Sequence, residues 1–163
     1  MYTLRCTKCA LGRFRLQPHE GEARESDTVL GDWYADLLNV GRKRWVFCLS
    51  EHSLLPVVVP ARRDEFPAGL PAAVAESLAR LGVDEDARAN ELGAMMRHSI
   101  GRTRSRSVLG VLTDLAFAAE IGLRDGMSPV ELSLWLARTP IKPIGYGSPD
   151  ELTVELFAAC GVA

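Results

Sequence analysis

The hydrophobic period of this chain changes once, and the change falls at Pro60. Before it, apolar residues alternate in short runs. After it, they recur every three to four residues. Alternation at period two marks strands, and a period of 3.6 marks helices with one apolar stripe. A chain that lays down its strands first and its helices afterwards predicts an α+β fold. Here that means an antiparallel β-meander of about four strands in the N-terminal part, with about five C-terminal helices packed on one face.

In the first part, Tyr2, Leu4 and Cys6 alternate with Thr3 and Arg5, which reads as a half-buried strand. Residues 33–40 and 44–49 form the next two strands, joined by turn chemistry at residues 39–42. Residues 54–59 form another, and Pro56 places it at an edge or a strand start, because proline cannot donate to a ladder. Residues 7–16 suggest a short helix, weakened by Gly12. Residues 17–28 are polar and acidic, and predict a mobile loop.

In the second part, Leu70, Val74, Leu78 and Leu81 share one helical face that stops at Gly82. Asp84 caps a helix carrying Ala89, Leu92 and Met96. Val108, Leu112, Leu115, Ala119 and Leu123 form the longest stripe, ending at Gly126. Ser128-Pro-Val-Glu131 is a capping-box start before Leu132, Trp135 and Leu136. Ser148-Pro-Asp-Glu151 repeats that start before Leu152, Leu156 and Cys160. No linker separates two apolar cores, so residues 1–163 read as one domain.

The formal charge of −2 gives no overall pull toward nucleic acid or an anionic membrane, so any basic surface is local. The longest apolar runs are far below membrane length, and the N-terminus lacks an uninterrupted apolar segment of the secretory kind. The expectation is a cytoplasmic protein with no membrane partner. Cys6 and Cys9 form a C-x-x-C without a second pair, and His19, His52 and His98 show no ligand spacing. The prediction is therefore no metal and no cofactor. Cys6 and Cys9 read as small core or surface residues, with a redox pair between strand and helix as the alternative.

Chemistry concentrates just before the longest stripe. Residues 92–113 hold no acid, yet contain Arg97, His98, Arg102, Arg104 and Arg106. Thr103, Ser105 and Ser107 interleave with the last of these. A helix N-terminus offers free N–H groups and partial positive charge, and arginine adds a permanent planar donor set. Arg102, Thr103, Arg104, Ser105, Arg106 and Ser107 are thus the candidate site for a phosphate-bearing ligand, with nucleic acid the leading class. The competing reading makes Ser105 a plain N-cap and pairs the arginines with acids of residues 20–27 or with Asp32 and Asp36.

A second acid-free stretch, residues 37–50, puts Arg42, Lys43 and Arg44 at a hairpin tip. If the tip lies near the first basic run, the two form a groove. Trp33, Tyr34 and Trp45 would then serve either as stacking platforms for bases or as core. His98 and Asp114 are the acid–base candidates should the protein be an enzyme acting on an anionic substrate. A protein-interaction or regulatory module, of the antitoxin kind, is the third class. Oligomeric state is not read from the sequence.

The stretches Gly31-Asp-Trp-Tyr-Ala-Asp-Leu-Leu38 and Thr103-Arg-Ser-Arg-Ser-Val-Leu-Gly110, with the Leu4-Arg-Cys-Thr-Lys8 start, carry a resemblance over most of the chain. They resemble an uncharacterised bacterial family known only as a domain of unknown function. In that family the later motif is followed by an Asn-Asp pair, and here the corresponding pair is Thr113-Asp114. The resemblance implies a compact bacterial cytoplasmic domain and brings no activity with it.

Overall fold

A computed structural model describes residues 1–22 and 24–161. Ala23, within the segment predicted as a loop, and residues 162–163 lie outside the described residues. The elements run β1 (Tyr2–Cys6), α1 (Lys8–Phe14), β2 (Trp33–Val40), β3 (Lys43–Ser50), β4 (Pro56–Pro60), α2 (Leu70–Arg80), α3 (Glu85–Met95), β5 (His98–Arg102), α4 (Arg106–Arg124), α5 (Pro129–Ala137) and α6 (Pro149–Gly161). A short 3-10 turn, Lys142–Ile144, lies before α6. The architecture is α+β, with N-terminal strands and mostly C-terminal helices.

The sheet has five strands in the order β4-β3-β2-β1-β5. The meander β2-β3-β4 is antiparallel. The other half is parallel: β1 lies between β2 and β5 and runs in the same direction as both. Strand β5 is not legible in the pattern. His98-Ser-Ile-Gly-Arg102 contributes one large apolar residue, Ile100, and has no alternation. Its pairing with β1, from Tyr2↔His98 to Cys6↔Arg102, is fixed from the β1 side.

That pairing corrects the reading of β1 as half-buried. All five of its residues are buried, Thr3 and Arg5 included. Edge strand β4 is closed by α5, where the Ser133 hydroxyl accepts the Val58 N–H at 3.0 Å and donates to the Pro129 carbonyl at 2.7 Å. A free ladder edge is thereby satisfied in place.

Helices cover both faces of the sheet rather than the single face predicted. One core gathers Leu4, Trp33, Val46 and Val57 with Leu11, Leu70, Val74, Met95 and Phe157, from α1, α2, α3 and α6. The other gathers Tyr34, Phe47, Leu49 and Val58 with Val108, Leu112, Leu115, Leu132 and Leu136, from α4 and α5. Each fully buried large apolar side chain contributes on the order of 1.5–3 kcal/mol. Two helices are phased one residue away from expectation. In α3, Glu91 and Met95 are buried, while Ala89 and Met96 are exposed and Leu92 is half-buried. In α6, Thr153 and Phe157 face inward in place of Leu152, Leu156 and Cys160.

The capping box at Ser128 and Glu131 is present. The matching start at Ser148 works differently: its hydroxyl bonds to Asp150, whose carboxylate accepts the Glu151 N–H at 2.8 Å. Among the described residues no helix is long and apolar enough to cross a membrane.

Candidate functional site

Two parallel strands end side by side at one edge of the sheet. β1 ends at Cys6 and β5 at Arg102, directly across from each other, and each leads into a helix. Thr7 caps α1 by accepting the Ala10 N–H, and Ser105 caps α4 by accepting the Val108 N–H at 3.3 Å. Ser105 N–H in turn donates to the Tyr34 hydroxyl at 3.3 Å, so Ser105 is committed to structure at both ends.

The face of the sheet below this corner is polar. Thr3 and Arg5 on β1 lie beside Ser99 and Gly101 on β5, and the Thr3 and Ser99 hydroxyls are 3.3 Å apart. Arg5 is 5% exposed, which is unusual for arginine without full pairing. Its Nε donates to Asp32 Oδ2 at 2.8 Å and its Nη1 to the Arg102 carbonyl at 3.2 Å. Asp32, 2% exposed, also accepts the Thr3 N–H at 2.9 Å. Arg104 closes the network from outside, at 3.1 Å from Glu51 and 3.6 Å from Asp32. One donor of the set is unused: Arg5 Nη2 is buried and has no partner among the described residues.

Arg5 opens onto a cavity of about 270 Å³. Thr3, Ser99, Thr103, Arg102 and Arg104 share its walls, and the segment from Pro18 to Gly21 covers it. That segment is tied down by the His19 N–H, which donates to the Ile100 carbonyl at 2.8 Å. Gly101 is part of the lining, and a Cβ there would come within 2.7 Å of Thr3 Cγ2 and 3.3 Å of Arg5 Nη1. The lining carries Arg5, Arg102 and Arg104 against Glu20 alone.

The predicted run of residues 102–107 is therefore divided. Arg102, Thr103 and Arg104 line this cavity. Arg106 and Ser107 line a separate groove of about 550 Å³ between α4 and residues 139–143, and Asp114 lies on the same groove. The competing ion-pair reading describes Arg104, whose partners are Asp32 and Glu51 rather than the acids of residues 20–27.

Arg42, Lys43 and Arg44 are exposed at the β2–β3 hairpin. Because β2 is parallel to β1 and β5, the hairpin leaves the sheet at the same edge as residues 102–107. Ala35 pairs with Cys6, so the tip stands five residues farther out, roughly 17 Å at strand rise. The stacking role does not hold. Trp33 and Tyr34 are wholly buried, and Trp45 is half-buried against the second core.

His98 lies at the far end of β5, with its ring centroid 5.7 Å from that of Tyr2. Partial desolvation there pushes its pKa below the usual histidine value. The strand separates it from Arg102, so His98 and the basic run do not form one site. The C-x-x-C sits at the β1–α1 junction, yet its first cysteine is the buried one. Burial pushes the Cys6 thiol up to about 12, with Asp36 adding to the shift. A redox pair needs an accessible, acidic first thiol, so the core-and-surface reading fits these two residues. Cys48 lies two strands from Cys6, across Ala35, about 9.5 Å at sheet spacing and too far for a disulfide. All four cysteines are free.

Sequence reasoning missed Arg5 and named Asp32 only as an ion-pair partner for the later arginines. The signal available was Asp32 in the Gly31-Asp-Trp-Tyr motif and a lone charged residue in the first strand. Gly31 has its own reason. Its φ is +76°, and the His52 ring, held by Nδ1 at 2.9 Å from the Val29 carbonyl oxygen, sits 2.8 Å from where a Cβ would be.

The chain belongs to the family described as Domain of unknown function (DUF6933), whose model matches residues 3–152. No curated protein and no solved structure matches the chain.

Proposed function

We propose that this protein binds a small phosphate-bearing molecule in the cavity beneath residues 18–21. The observation that carries the reading is Arg5 on the cavity wall, a nearly buried guanidinium whose Nη2 has no partner among the described residues. An orphaned buried donor costs about 1–3 kcal/mol or more when charged, and a small turn of the Arg5 side chain toward an anion in the cavity removes that cost. Asp32 and the Arg102 carbonyl hold the guanidinium at two corners and leave the third for the ligand. Arg104 supplies a second cation at the mouth, and Thr3, Ser99 and Thr103 supply hydroxyls. Fixed charge-assisted donors of this kind suit a terminal phosphate.

The nucleic-acid version of the proposal is weaker. The aromatic residues that would stack bases are in the cores. A backbone phosphodiester on a continuous strand is also poorly suited to reach a donor buried under a covering segment.

The test is calorimetric titration of the protein with phenyl phosphate, ribose 5-phosphate and a 20-nucleotide single strand. The expected result is saturable binding of at least one monoester, weakened about tenfold in Arg104→Ala, the equivalent of 1.4 kcal/mol. Gly101→Ala, which presses on Thr3 and Arg5, weakens it further without touching Arg104. Absence of monoester binding at millimolar concentration would sink the proposal. Tighter, steeply salt-dependent binding of the single strand would return the site to nucleic acid.

A further inference from the structure

The second groove differs from the first in chemistry and has its own logic. Its floor is apolar: Val111, Leu115 and Ala118 on α4 face Pro140, Ile141 and Pro143. Gly110 sits on the groove at an exposed helical position where a Cβ would meet no atom within 4 Å. A helix-interior glycine at an exposed site is destabilising relative to alanine, so nothing in the packing of α4 accounts for it. Its effect is a notch through which the helix backbone can be approached closely.

Beyond Ala118 the apolar surface continues along α4. Phe117 is 71% and Ile121 41% exposed, large apolar side chains that a monomer leaves uncovered. From Gly110 to Ile121 the helix rises about 16 Å, longer than a compact small ligand and suited to two or three turns of peptide. Charge is placed at one end. Arg106 and Lys142 flank the groove where α4 begins, against Asp114 alone. The hairpin carrying Arg42, Lys43 and Arg44 leaves the sheet at that same edge.

We propose that this groove docks a short amphipathic peptide segment of a partner protein. Its apolar anchors lie along Gly110, Ala118, Phe117 and Ile121, and its acidic end meets Arg106 and Lys142. This docking is independent of the phosphate cavity, with which the groove shares no lining residue.

The experiment is selection of a random 16-residue peptide display library on the full chain, followed by fluorescence anisotropy of the enriched peptides. The expected peptides carry Asp or Glu at one end and apolar residues at helical spacing. They bind at least tenfold more weakly to Gly110→Leu, which fills the notch in open space, and to Arg106→Glu with Lys142→Glu. Arg104→Ala, which alters only the other cavity, leaves their affinity unchanged. The proposal is overturned by selection without a consensus, by a basic consensus, or by affinity that Gly110→Leu leaves intact. Self-association of the wild type that disappears in Gly110→Leu overturns it in favour of a second copy of this chain.

Discussion

The two halves of the sheet are built from opposite materials. In the antiparallel half, β3 and β4 send Val46, Cys48, Val57 and Val59 into one core and Phe47, Leu49 and Val58 into the other. In the parallel half, one face carries Tyr2, Leu4, Cys6 and Ile100, while the other carries Thr3, Arg5, Ser99 and Gly101. The first half is stabilised in proportion to the apolar area it removes from water. The second spends its burial on an ion pair, which apolar side chains of the same volume would match or exceed in stability. On the proposed reading the polar half serves a ligand, and the apolar half serves folding.

The largest expected effect comes from stranding one member of the buried pair. Asp32→Ala leaves Arg5 uncompensated and the Thr3 N–H without its acceptor, so urea unfolding should show a loss of about 3–5 kcal/mol. Arg5→Met combined with Asp32→Asn should recover most of that loss, since the amide oxygen introduced at position 32 would still accept from Thr3 and no charge is left alone. Phosphate binding should not return with it. Leu49→Ala in the apolar half should cost about 2–5 kcal/mol by opening a cavity, with ligand affinity unchanged. If the double variant regains both stability and binding, the division of labour between the halves is wrong.

How much of this is visible in the sequence follows the same division. The meander, α2, α4 and α5 are legible because alternation, helical stripes and caps such as Ser105 and Ser128 are local signals. The parallel half is not. β5 has no pattern of its own and is a strand only because β1 lies beside it. Arg5 reads as solvent-facing because period two assigns a residue to a face without saying what covers that face. The covering segment and β5 lie 14 and 96 residues away in the chain at His19 and Gly101. The basic run is legible as chemistry, but its division between two cavities depends on the turn at Ser105.

Glu91 sharpens the contrast between a buried charge with both oxygens satisfied and Arg5, which keeps one donor unpartnered. Its carboxylate, on the apolar side of the sheet, accepts the N–H groups of Val29 at 2.7 Å and Leu30 at 3.2 Å. Glu91→Ala orphans both, at about 1–3 kcal/mol each. Burial raises the Glu91 pKa, and the two N–H groups pull it only part of the way back. A folded pKa above the unfolded one means that this group's contribution is full below the ordinary glutamate range and is lost as pH rises through the raised value. Glu91→Gln keeps one acceptor for the two N–H groups and should start below the wild type in acid, with the deficit shrinking as pH increases. Unfolding midpoints of the two proteins across that range check the sign. A wild type that gains on the variant with rising pH would contradict it.

The smallest stability effect, and the most pointed test of the polar half, is at Glu51. It holds Arg104 at 3.1 Å, with the two side chains 22% and 57% exposed. An ion pair in such contact with water is worth about 1 kcal/mol or less, and less again in salt. Glu51→Gln should therefore change stability by no more than that, while releasing Arg104 from the nearer of its two carboxylate partners. If Arg104 serves the cavity, the variant binds phenyl phosphate severalfold more tightly than the wild type, and the gain shrinks as ionic strength rises. If Arg104 is there only to hold Glu51, affinity stays the same or falls, and the second cation of the proposed site has no part in binding.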